Sequence, residues 1–195
     1  MITMKDIIRE GHKNLLKVAA PVKLPLSDKD KKTLNQMMEF ILNSQDKEIA
    51  EKYQLRGAVG LAAPQINVLK RMLAVDFVDV DSVHYQLALI NPLITSHSEE
   101  LIYLPGGEGC LSVDRDTKLL LTPRYESIKI ESFMLDIPTQ NVYKVEINLS
   151  GYAAIVLQHE IDHLDGILYT SKMYESIDNA KPAFELEEDP QEPIT

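Results

Sequence analysis

Cysteine is almost absent from this chain: Cys110 is the single thiol in 195 residues. No disulfide can therefore form within it, which fits a compartment that keeps thiols reduced. No apolar run approaches the roughly 20 residues of a membrane-spanning helix, and the N-terminus lacks the apolar core of a secretory leader. A cytoplasmic protein with no membrane partner is expected. Basic residues are outnumbered, 20 Lys and Arg against 30 Asp and Glu, for a net charge of −10 and a pI near 5.0. That balance argues against a broad basic surface, so no direct nucleic-acid binding is expected. Internal repeats and low-complexity blocks are missing as well. What is there, 45% hydrophobic content over 195 residues, suffices for one domain with a sizeable core.

Residues Lys5 to Glu10 read as a short helix or turn broken at Gly11, followed by a small apolar piece at Leu15 to Val18. Pro21 and Pro25 then impose an extended connector. Ser27-Asp28-Lys29-Asp30 has the form of a helix start, with Ser27 as N-cap and Asp30 completing a capping box. Leu34, Met37, Met38, Ile41 and Leu42 follow at three-and-four spacing as one buried stripe, the methionines acting as core filler. Asp46 to Leu55 continues as a polar helical turn and loop. Arg56-Gly57-Ala58-Val59-Gly60-Leu61-Ala62-Ala63-Pro64-Gln65 is rich in small residues and ends on an amide donor. Such a run can pass close to a ligand, although a tight turn into a strand would also account for it.

From Lys70 to Asn148 the pattern changes to strands, at Met72 to Val80, Tyr85 to Asn91, Leu119 to Leu121, Ser127 to Phe133 and Val142 to Asn148. Short connections such as Asp79-Val80-Asp81-Ser82 favour antiparallel pairing. A long helical pattern returns only at Ser150, so helices and strands are segregated and the class is α+β. The expected architecture is a set of antiparallel strands and small sheets around a central buried helix, with the N-terminal helices at one side. Residues 1–175 form the expected single domain, and 176–195 an acidic, solvated C-terminal tail.

That helix, Ser150 to Gly166, carries the chemistry. Ser150 can cap its start and Gly166 can close its end. Ala153, Ala154, Ile155, Val156, Leu157, Ile161 and Leu164 cover nearly its whole circumference, as on a helix buried by the rest of the domain. Within it stands His159-Glu160-Ile161-Asp162-His163, an HExxH motif. Histidines four apart share a face and can hold one metal ion, while the glutamate between them can move a proton. On a solvated helix the same residues would be unremarkable. Here the histidines, Glu160 and Asp162 would each cost about 1–3 kcal/mol or more to bury unpartnered, and a metal resolves that conflict.

A catalytic site of this kind takes three protein ligands and leaves a fourth position for water. The HExxHxxGxxH pattern is followed as far as Gly166, but Tyr169 stands where its last histidine would be. A downstream glutamate is another route, with Glu175, Glu185, Glu187 and Glu188 in the acidic tail. Pro105-Gly106-Gly107-Glu108-Gly109-Cys110-Leu111-Ser112 offers a third, a thiolate on a glycine-rich loop. Cys110 is the better candidate, although a lone cytosolic cysteine is most often a small buried hydrophobe.

Gly60-Leu61-Ala62-Ala63-Pro64-Gln65, Glu108-Gly109-Cys110-Leu111-Ser112 and the HExxH segment resemble, in order and spacing, the three motifs of the bacterial peptide deformylases. The longer, Gram-positive type is the nearer resemblance. One departure is Ala58, where that family usually has glycine; Gly57 is expected to take up the lost freedom. The resemblance implies that Cys110, His159 and His163 bind a divalent metal, Fe²⁺ in the cell, with Zn²⁺, Ni²⁺ or Co²⁺ as substitutes. It implies a hydrolase that releases formate from the N-terminal formylmethionine of newly made proteins, with Glu160 as acid/base and with Gln65 and the Leu111 N–H holding the oxyanion. Val59, Tyr152, Ile155 and Val156 are expected to wall an apolar pocket for the methionine, and segments near Val59-Gly60 and Glu108-Gly109 to pair with the peptide. The implied partners are N-formylmethionyl nascent chains near the ribosome. Two other readings are a metallopeptidase with a tail glutamate as third ligand, and a non-catalytic binder of formylated N-termini.

Overall fold

Ser27 starts the first helix as its pattern predicts: in this computed structural model, which describes residues 1–185, its hydroxyl accepts the Asp30 N–H at 3.2 Å. Asp30 does not complete the box. Its carboxylate instead accepts the Ser27 hydroxyl at 2.7 Å and pairs with Lys70, tying the helix to the chain before the sheet. Helix α1, Asp28–Gln45, buries Leu34, Met37, Met38 and Ile41. Leu42 is 43% exposed, contrary to expectation, because its flank turns to solvent while Phe40 on the other flank is covered. Asp46 caps α2, Lys47–Tyr53, by accepting the Ile49 N–H at 2.9 Å.

The strands form two sheets. Strands β1 (Gly60–Ala62), β2 (Met72–Val78), β3 (His84–His97), β6 (Ser127–Leu135) and β7 (Val142–Ser150) pair antiparallel in the order β1-β2-β3-β6-β7. A smaller sheet joins β4 (Leu101–Tyr103) to β5 (Arg124–Tyr125) and, in parallel, to β8 (Ala180–Pro182). Side-chain alternation along β2 and β3 divides the core between the two faces of the larger sheet. Met72, Ala74, Ala88 and Ile90 pack with the α1 stripe, while Leu73, Val75, Phe77 and Leu89 pack with Ala153, Ala154, Leu157 and Ile161 of helix α3, Gly151–Leu164.

Several expectations need correction. Strand β3 runs on past Asn91 because a bulge between Ile90 and Leu93 accommodates Pro92, which cannot donate to a ladder. Leu119 to Leu121 is a turn: Lys118 and Leu119 have positive φ, Leu119 is 70% exposed, and only Leu121 pairs, with Tyr174. Strand β8 lies beyond residue 175, so the first part of the acidic stretch is paired. Ser150 ends β7 and makes no side-chain cap; Gly151 turns the chain with φ +57° and donates its N–H to Glu126. Gly166 closes α3 with φ +71°, where a Cβ would press on the Leu16 backbone at 2.7 Å. No described helix is long and apolar enough to cross a membrane.

Candidate active site

Helix α3 presents His159 and His163 one turn apart, with ring centroids 5.0 Å from each other. The loop after β4 brings Cys110 against them, its Sγ 3.3 Å from His163 Nε2. One ligand atom from each of the three residues falls within 4.8 Å of the others. Sequence position separates these groups by about fifty residues; the fold brings them to one point.

A buried ionic network holds that arrangement. Glu108 Oε2 lies 2.7 Å from His159 Nδ1, which leaves Nε2 of that ring for the shared point. Arg124 donates two parallel hydrogen bonds to the same carboxylate, at 2.7 and 2.8 Å, and also reaches Asp162. Lys172 completes the network on Asp162 at 2.6 Å. Burial alone would raise the Glu108 pKa, but hydrogen bonds and charge from Arg124 and His159 outweigh it and hold the group at about 2. Burial likewise opposes a proton on His159, yet the Cys110 sulfur and the Glu108 carboxylate push its pKa well up. His163 is shifted the other way, its pKa lowered by burial and by the positive charges of His159 and Arg124, which keeps its imidazole neutral. One sulfur and two imidazole nitrogens suit a borderline divalent ion, so the residues fit such an ion.

Glu160 stands beside them in a different environment. Burial pushes its carboxyl up to about 7, and Oε2 has no hydrogen-bond partner among the described residues. Gly60 makes this placement possible, because a Cβ there would overlap the Glu160 carboxylate. Gln65 is oriented through Oε1, which accepts the Ala62 N–H at 2.8 Å. Its Nε2 makes only long contacts of 3.4 Å, to Cys110 Sγ and Ser112 Oγ. The Leu111 N–H meets no acceptor among the described residues. The Glu160 carboxyl, the weakly engaged Gln65 amide and Leu111 thus line one cavity of about 440 Å³.

Val59, Gly60, Gly109, Tyr152, Ile155 and Val156 line that cavity together with Gln65, Leu111, Cys110, His159 and Glu160. His163 lies behind. Glu108 also borders the cavity, but its carboxylate is turned to Arg124 and His159 and only its backbone remains for a ligand. Gln45, Arg56 and Leu104 were not foreseen. Arg124 left no signal beyond the need of a buried Glu108 for a counter-ion. Asp162 had been attributed to the metal; Arg124 and Lys172 neutralise it instead. Neither Gly57 nor Ala58 has positive φ, so the alanine needs no compensation; Ala58 is held by Ser44 and Gln45 at 3.1 and 3.0 Å. Glu175 and Glu185 are exposed and belong to no ligand cluster among the described residues, while Glu187 and Glu188 lie outside those residues.

The sequence profile described as Polypeptide deformylase matches residues 4–178. Peptide deformylase of Oceanobacillus iheyensis is 51% identical over 173 residues, 89% of this chain and 91% of that protein. Peptide deformylase 2 of Bacillus subtilis is 49% identical over 187 residues, 96% of each. Among solved structures, the enzyme from Vibrio parahaemolyticus bacteriophage VP16T in complex with actinonin superposes with a TM-score of 0.64 at 28% identity, covering 83% of this chain and 98% of that one. A Met-Ala-Ser-bound class I type b peptide deformylase from Acinetobacter baumannii gives 0.63 at 28%, covering 85% and 96%.

Proposed function

This chain belongs to the polypeptide deformylase family and removes the formyl group from N-terminal formylmethionine; on that premise we propose which of its residues perform the hydrolysis. Cys110, His159 and His163 hold a divalent metal, Fe²⁺ in the cell, replaceable by Zn²⁺, Ni²⁺ or Co²⁺. The single observation that carries this reading is the convergence of the three donors with His159 Nδ1 already engaged by Glu108. When bound, the ion supplies Lewis acidity that polarises the formyl carbonyl and makes a water nucleophilic near neutral pH.

The chain does the rest. Glu160, the organising group of α3, takes the proton of the attacking water and returns it to the departing amine. Burial raises its carboxyl to about 7, well above an ordinary glutamate, and so strengthens it as a base. Gln65 Nε2 and the Leu111 N–H donate to the oxygen on which negative charge develops. Val59, Tyr152, Ile155 and Val156 enclose the methionine side chain. The backbone at Gly60 and at Glu108-Gly109 pairs with the peptide, β1 being an edge strand bonded only to β2. The substrate is the formylated end of a nascent chain, met in the cytoplasm near the ribosome. The catalytic domain, expected over residues 1–175, also takes in strand β8, Ala180–Pro182, paired with β4.

Replacing Cys110 with serine tests the ligand assignment. Weaker binding of Co²⁺ and a changed absorption spectrum are expected; an unaltered spectrum and affinity would place the third ligand elsewhere.

A further inference from the structure

The peptide unit joining Cys110 to Leu111 is braced by two arginines, Arg56 at the edge of the cavity and Arg9 outside its lining. Arg56 Nη2 donates to the Cys110 carbonyl at 3.2 Å, beside the Val113 N–H that closes the turn at the same distance. Arg56 Nη1 reaches the Val113 carbonyl at 3.4 Å and Asp114 Oδ1 at 2.9 Å. On the other side of Asp114, Arg9 Nε lies 3.0 Å from Oδ2, and Arg9 Nη1 donates to the Leu111 carbonyl at 2.6 Å. The chain around Arg9 also joins the two loops of the site, since the Ile8 N–H donates to the Gln65 carbonyl and the Glu10 N–H to the Ser112 carbonyl.

In a planar trans peptide the C=O and the following N–H point in opposite directions. A donor fastened on the Cys110 carbonyl therefore fixes the direction of the Leu111 N–H, which has no acceptor among the described residues and belongs to a residue lining the cavity. The Leu111 carbonyl, held by Arg9, fixes the Ser112 N–H in the same way, and that N–H lies 3.4 Å from Cys110 Sγ. Stability does not explain the arrangement: Arg56 and Asp114 are 47% and 59% exposed, and such pairs contribute about 0–1 kcal/mol. We propose that Arg56 and Arg9, linked through Asp114, are positioning residues that aim the Leu111 N–H at the developing oxyanion. This rests on the oxyanion role given above to Gln65 and Leu111.

The test compares kcat and KM for formyl-Met-Ala in the metal-loaded Arg56→Gln, Arg56→Lys, Asp114→Asn, Gln65→Leu and Arg115→Gln proteins, with the Leu111 amide followed by ¹H–¹⁵N NMR in the Zn²⁺ form. Arg56→Gln should lower kcat about tenfold, a fraction of the 10²–10³ that a whole donor is worth, with KM and metal content within about twofold. The Leu111 amide resonance should move, and Arg56→Lys should recover part of kcat. Asp114→Asn, an exposed site, should act in the same direction without altering a guanidinium. Arg115, whose exposed pair with Glu10 touches no loop carbonyl, serves as control and should leave kcat unchanged. Undiminished kcat in Arg56→Gln and Asp114→Asn, with Gln65→Leu impaired, overturns the positioning role alone. If Gln65→Leu is also unimpaired, the oxyanion reading falls and this inference falls with it.

Discussion

Glu160 and Gly60 show how one residue makes room for the function of another. Glu160→Ala should keep its metal and lose about 10²–10⁴ in kcat, since a positioned proton carrier contributes on that scale. Formate release at the normal rate would remove its role. Because Glu160 must be ionised to accept a proton, kcat/KM should decline as pH drops through its pKa. That pKa is about 7 from burial, and a bound cation moves it lower. An acid limb that persists unchanged in the residual activity of Glu160→Ala would contradict the assignment. Gly60→Ala should displace the carboxylate that its Cβ would overlap and cost kcat, measurable with formyl-Met-Ala. At this scale Cys110, His159, His163, Glu160 and Gln65 stood out as candidates because their three motifs occur together in one order and spacing, although each motif alone had a plainer reading. Arg124, Arg9 and Arg56 were not legible, since a lone arginine in sequence reads as surface, and only folding places Arg124 against two carboxylates.

The elements around the site are joined by polar ties that can be cut singly. Arg124→Leu would strand Glu108 and Asp162 in the interior and should destabilise by about 3–5 kcal/mol in denaturant titration, with weaker Co²⁺ binding as His159 loses its oriented partner. The Asp30–Lys70 pair links α1 to the chain entering β2. Burial raises the Asp30 pKa, but Lys70 and Ser27 outweigh it and the net shift is downward. Its stabilisation is therefore present above the ordinary carboxylate pKa and lost as pH falls through the lowered one. Asp30→Asn should cost about 1 kcal/mol at pH 7, discounted for the partly exposed lysine, and less under acid conditions. Helix α1 and strands β2 and β6 were legible from apolar spacing because each has a long face to bury, whereas β7 buries only Leu149 and was legible from its alternation. Strands of two or three residues, such as β4, β5 and β8, carry no periodicity, and their existence depends on partners distant in sequence.

Across the whole molecule, two layers of core hold α1 and α3 on opposite faces of one sheet, and the cavity opens where β1 leaves the sheet edge unpaired. Class and helix placement followed from patterning; convergence of Gln65, Cys110 and His159 did not, because it is a property of topology. Formate released from formyl-Met-Ala, with and without a chelator, is the most direct measurement of the central claim. The metal-loaded enzyme should release formate stoichiometrically with free Met-Ala, lose that activity on chelation and regain it with Fe²⁺ or Co²⁺. Formate release indifferent to metal removal, or cleavage of the Met-Ala bond in its place, would contradict the account.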